Sequence, residues 1–135
     1  MNAYYQIAVF ICLAGMAACH NQKEDSRCAD LKKGKYEFHS NLGPGIIYIE
    51  RNDSIQTEKS SSGISIHYRI AWPSPCVYTL KFHSFANEES KKSFGVPTIH
   101  ETRTEIKNIT GTYYIAETTI EGDPGIHSDT ILIVK

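Results

Sequence analysis

The run Ile64-Ser-Ile-His-Tyr-Arg-Ile-Ala-Trp72, then Pro73-Ser-Pro75, then Cys76-Val-Tyr-Thr-Leu-Lys-Phe-His83 says most about how this chain folds. Both flanks alternate apolar and polar side chains with the two-residue period of a half-buried strand, and Pro-Ser-Pro is loop material. Folding about that loop opposes Trp72 to Cys76, Ile70 to Tyr78, Tyr68 to Leu80 and Ile66 to Phe82, pairs that are apolar or aromatic on both sides. The other face sets Ala71 against Val77, Arg69 against Thr79, His67 against Lys81 and Ser65 against His83. A slip by one residue would mix the faces, so the pattern specifies which face meets a core. Ile66, Ile70, Trp72, Tyr78, Leu80 and Phe82 are expected inside, and His67, Arg69 and Lys81 outside.

The rest of the chain has the same texture. No segment beyond the N-terminal run keeps a 3.6-residue apolar period. Short alternating runs rich in Ile, Tyr and Thr are separated by Gly, Pro, Asn and Asp. Eight strands are expected, at about 35–40, 46–50, 54–59, 64–72, 76–83, 98–107, 112–120 and 128–134. Residues 87–92 suit a single helical turn capped by Asn87. A loop at Arg51-Asn52-Asp53 would set Ile49 against Ile55, and a turn at Ile109-Thr110 would set Ile106 against Tyr113. The fold class expected is all-β: an antiparallel meander closing into a small barrel or half-barrel. A β-sandwich is the alternative, though Trp72 lies too close before Cys76 for the usual immunoglobulin order.

Residues 7–19, Ile-Ala-Val-Phe-Ile-Cys-Leu-Ala-Gly-Met-Ala-Ala-Cys, form an apolar run ending in small residues and a cysteine, followed by the polar stretch 20–27. The run is too short to span a bilayer and has the form of a secretory signal. Its end resembles a bacterial lipobox, with Met16 in place of the usual Leu. The resemblance implies a signal peptide at 1–18, lipidation of Cys19, a polar tether at 19–27 and one β domain at 28–135. With His20 rather than Asp after the cysteine, it also implies delivery to the outer membrane. The membrane would be a partner only through this lipid anchor. The chain carries 14 Lys and Arg against 15 Asp and Glu, a formal charge of -1. That balance argues against nucleic acid as a partner.

Cys12 leaves with the signal and Cys19 with the lipid, so Cys28 and Cys76 remain to pair in an exported domain. Closing that loop would restrict the unfolded chain by about 4 kcal/mol on the loop-entropy model. Cys28-Ala-Asp-Leu-Lys-Lys-Gly-Lys-Tyr36, Glu50-Arg-Asn-Asp-Ser-Ile-Gln-Thr-Glu58 and Ile70-Ala-Trp-Pro-Ser-Pro-Cys-Val-Tyr-Thr-Leu80 carry a further likeness. Together they resemble a family of small, uncharacterised bacterial lipoproteins. The shared pattern is a Cys, a Gly-x-aromatic strand start, an Arg-Asn-Asp-Ser-x-Gln turn and Trp-x-x-x-Cys-x-Tyr-x-Leu. The resemblance covers about residues 28–82 and implies nothing about activity. Gly34-Lys-Tyr36 is also similar to the Gly-x-Trp opening of lipocalin-like barrels, which implies only fold.

Signatures of catalysis are missing: no G-x-S-x-G, H-E-x-x-H, P-loop or G-x-G-x-x-G occurs. No cofactor and no metal is implied. His67, Arg69, Lys81 and His83 share the polar face of the central hairpin, either as a solvated outer surface or as a cluster facing an anionic ligand. Cations beside each histidine make a metal unattractive there. Tyr113 and Tyr114 are neighbours in one strand, so one must face outward. Asp53-Ser54-Ile55 and Asp129-Thr130-Ile131 match a pattern that is O-glycosylated in some exported bacterial proteins. The expected role is therefore non-enzymatic: binding or assembly by a lipid-anchored envelope protein, with a protein partner or a small ligand. The alternatives are a carrier of a small apolar or anionic ligand, or an inhibitor of an envelope-attacking hydrolase. The inhibitor would act through a loop at Gly43–Gly45 or at 85–96.

Overall fold

The computed structural model describes residues 26–39, 45–95 and 100–135. Cys19, the expected signal peptide and most of the expected tether lie outside them. So do Gly43, Pro44 and residues 96–99. Among the described residues, no helix is long and apolar enough to cross a membrane.

Eight strands form one closed antiparallel barrel, each paired with the next and the last with the first. They are β1 (Gly34–His39), β2 (Ile46–Arg51), β3 (Ile55–Ser60), β4 (Ser65–Ser74), β5 (Val77–Phe85), β6 (Thr102–Lys107), β7 (Tyr113–Ile120) and β8 (His127–Val134). Closure removes every sheet edge, which an open meander of this length would leave unpaired. A six-residue 3₁₀ helix, Ser26–Leu31, precedes β1, so the domain begins inside the expected tether. The helix after β5, α1 (Glu88–Phe94), has seven residues, about two turns where one was expected, and the Asn87 side chain accepts from Ser90 N as the cap residue suggested.

The 3₁₀ helix stoppers one end of the barrel. Leu31 and Cys28 are buried there, and Cys28 is bonded to Cys76 in the β4–β5 turn, with Cα atoms 5.1 Å apart. The chain enters at this end, and β8 finishes there. The opposite end carries α1 and the β3–β4 and β7–β8 turns. It is the mouth.

Three hairpin registers differ from expectation. In β4–β5 the turn is Pro75-Cys76, because β4 continues through Pro73 to Ser74. Tyr68 therefore faces Phe82 and Ile70 faces Leu80. From Tyr68 to Ala71 the shift is two residues, so the faces survive there, and Arg69 and Lys81 oppose each other outside. Ile66, Ile70 and Tyr78 are buried, but irregularities shift the register by one more residue at each end, and Ser65 and Val77 of the expected outer face are buried too. Trp72, Leu80 and Phe82 are only half-buried, Leu80 in the lining of the lumen cavity. His67 is half-buried as well, its Nδ1 2.9 Å from Thr57 Oγ1.

In β2–β3 the shift is odd, and it reverses a face. Arg51 belongs to the strand, not to the loop, and pairs with Gln56, which sets Ile49 against Glu58 instead of Ile55. The Asn52 side chain makes this tight turn by accepting from Ser54 N and Ile55 N at 3.2 and 2.9 Å. In β6–β7, Ile106 faces Ala116 instead of Tyr113, because the connection runs longer than a two-residue turn. Asn108 adopts φ 46° there, and Thr110 Oγ1 accepts from Tyr113 N. Tyr114 is fully buried and Tyr113 faces out.

Candidate functional site

Alternation around the closed barrel aims one side chain in every two into the lumen. The residues that arrive there are not all apolar. At the stoppered end, Arg51 is 3 % exposed. Its Nε donates to Gln56 Oε1 at 2.6 Å, Nη1 to the Leu31 carbonyl at 3.3 Å, and Nη2 to the hydroxyls of Tyr78 and Tyr114 at 3.0 and 2.8 Å. The rings of Tyr36 and Tyr78 lie 4.7 and 4.4 Å from the guanidinium carbon. Burial disfavours this charge, but the phenol oxygens of Tyr78, Tyr114 and Tyr36 more than offset it, and the guanidinium pKa is raised. The same burial raises the phenol pKa values of Tyr114 and Tyr36, with Arg51 opposing.

Gly34-Lys-Tyr36 gains its physical meaning here. Gly34 and Tyr36 project on the same side of β1, and Gly34 has φ 139°, a conformation that suits glycine. A Cβ at Gly34 would stand 3.1 Å from the Tyr36 hydroxyl. Without one, that hydroxyl donates toward the carbonyls of Leu31 and Lys33 at 2.9 and 3.0 Å. Tyr36 thereby fastens the 3₁₀ stopper to the barrel.

The middle of the lumen links the two halves. Gln56 accepts from Arg51 and, through Nε2, donates to Glu58 Oε1 at 2.6 Å. One amide thus bridges a buried cation to a carboxylate. Burial raises the Glu58 pKa, opposed by the Gln56 hydrogen bond and by the charge of Arg51. Tyr68, beside it, has its phenol pKa raised by burial and then by the Glu58 charge.

Beyond Gln56 the lumen widens into a cavity of about 230 Å³ toward the mouth. Phe38, Ile47, Leu80 and Ile131 give it an apolar wall. Glu58 and Asp129 bring carboxylates, Thr102, Thr104 and Thr118 bring hydroxyls, and Tyr68 and Tyr78 bring phenols. His100 stands in the lining from the β5–β6 connection. Thr104 and Thr118, cross-strand partners, have their hydroxyls 2.8 Å apart.

His67, Arg69, Lys81 and His83 do not line this cavity. Arg69, Lys81 and His83 are exposed on the outer face, and no two of the four form a hydrogen bond with each other. Ser54 lies in an exposed turn, and Thr130 is exposed on the outside of β8. Sequence reasoning missed Arg51, Gln56, Glu58 and Asp129. Arg51 reads as loop in the sequence, and the odd β2–β3 shift turns Gln56 and Glu58 inward from the expected outer face. The available signal was the Arg51–Gln56 spacing around an Asn-led turn, which puts two polar side chains in register on one face. Comparisons with protein-family models, with curated proteins and with solved structures find no match to this chain.

Proposed function

We propose that this chain is an exported envelope protein, anchored by lipid at Cys19, with a non-enzymatic role in binding a small ligand in the barrel mouth. The cavity of about 230 Å³ carries this reading, because a barrel of this strand number either fills its lumen with side chains or keeps room for one small ligand. Its mixed lining, apolar walls with a few convergent polar groups, is the usual composition of a ligand site. The chain enters at the stoppered end, so a lipid at Cys19 leaves the mouth directed away from the membrane. The seven Cα–Cα steps from Cys19 to Ser26 span at most about 25 Å when extended.

Two measurements test it. Cys19→Ser should free the protein from membranes, and a variant still pelleting after a high-salt wash would remove the anchor from this account. Native mass spectrometry of the tagged protein, extracted gently from envelopes, should find a small molecule bound. Consistent recovery of bare protein would count against the ligand.

A protein partner is the second reading. Tyr48, Glu37, Leu132 and Tyr113 form one cross-strand row on the outside of β2, β1, β8 and β7. The three apolar members of that row are substantially exposed. The inhibitor alternative has less support, since the 85–95 segment folds against the barrel. Ser90 Oγ accepts from Ser65 N at 2.9 Å, and the Phe85 and Phe94 rings lie 5.9 Å apart.

A further inference from the structure

We propose that the mouth cavity recognises a small primary alkylamine in its protonated form, the ammonium meeting Glu58 and Asp129 and the alkyl body lying against Phe38, Ile47 and Leu80. This rests on the small-ligand reading above and specifies its chemistry. The first argument is charge. Among the described residues, the fixed charges on the lumen side of the strands are Arg51, Glu58 and Asp129. Arg51 lies behind Gln56 and Tyr78 in the stoppered half, where its donors already have acceptors. Among the described residues no Lys or Arg lines the cavity, and His100 is the one basic side chain in its lining. Glu58 is coupled to Arg51 through Gln56, so Asp129 is the carboxylate left without an internal counter-charge. A cation supplies one, and an anion would add to the imbalance.

The second argument is hydrogen-bond inventory. Glu58 accepts one bond, from Gln56, and its second oxygen accepts none from any described residue. Asp129 makes no side-chain hydrogen bond or ion pair with a described residue, although it is half-buried in the lining. The site thus offers spare acceptors, and an ammonium group brings three donors and no acceptor. Charge-assisted bonds of this kind are the strong ones. Burial is also what raises the Glu58 pKa, against the Gln56 hydrogen bond and the charge of Arg51, and a bound ammonium would oppose it further.

The test compares n-pentylamine, 1-pentanol and pentanoate as probes, with binding to the wild-type chain followed by calorimetry and by amide shifts of Thr104 and Thr118. The amine should bind at least roughly tenfold tighter than the alcohol, with pentanoate weakest. Glu58→Gln and Asp129→Asn should each erase most of that preference, and Lys81→Ala on the outer face should leave it unchanged. Equal binding of amine and alcohol, or tighter binding of pentanoate, overturns the cation proposal while leaving a ligand cavity in place. Amide shifts that stay fixed with all three probes overturn both. The wild-type comparison needs no variant, so a misfolded variant does not leave the question open.

Discussion

Arg51 and Tyr114 stand 63 positions apart in sequence, yet the guanidinium Nη2 donates to the phenol oxygen at 2.8 Å inside the barrel. The contact joins β2 to β7 across the lumen. Glu58 reaches this cation only through the Gln56 amide. The buried charge is therefore held mainly by tyrosines, one amide and the Leu31 carbonyl of the stopper.

Removing that charge should be expensive for the fold. Arg51→Ala strands Gln56, Tyr78 and Tyr114, and should lower stability by about 3–5 kcal/mol in urea melts. Arg51→Lys should recover little of it, because an ammonium cannot reproduce the planar fork that serves four acceptors at once. A lysine variant melting within about 0.5 kcal/mol of wild type would show that charge alone suffices there.

At Gly34, substitution by Ala should cost about 1–3 kcal/mol, from φ strain and from displacing the Tyr36 hydroxyl. In a Tyr36→Phe background the same substitution should cost less, because the crowded hydroxyl is gone. A double-mutant cycle with zero coupling would mean that strain accounts for the whole effect.

The central hairpin separates its faces. Ile70→Ala, in the core, should cost about 2–5 kcal/mol, whereas Lys81→Ala on the outer face should stay within about 0.5 kcal/mol. Comparable losses from the two would contradict the inward and outward assignment of β4 and β5.

Glu58 gives the stability a pH slope. Its folded pKa is raised, so the folded chain holds this proton to higher pH than the unfolded chain does. Folding then binds a proton above the unfolded value of about 4.3, and the contribution of Glu58 falls as pH rises through that window. Wild-type stability minus that of Glu58→Gln should therefore decrease as pH rises above the unfolded value of about 4.3. Parallel pH curves for the two proteins would rule out a raised folded pKa.

Period-two alternation was enough to place all eight strands to within a few residues and to sort the faces of β4 and β5. That signal is local, and a two-residue error in register leaves it intact. The Cys28–Cys76 bond was legible too, because reading Cys12 as signal and Cys19 as lipid site leaves two cysteines with one pairing. The lumen chemistry was not legible in this way. Moving β2 against β3 by an odd number of residues turns Gln56 and Glu58 from the outer face to the inner one. The order of strand pairing does not tell which residues meet across a closed barrel, because Arg51, Tyr78, Tyr114 and Leu31 come from distant segments. Closure brings them together, and only in that water-poor space do a cation, three phenols and a carboxylate constrain one another. The strands belong to the local pattern of residues, whereas the polar lumen and its cavity belong to the closed barrel.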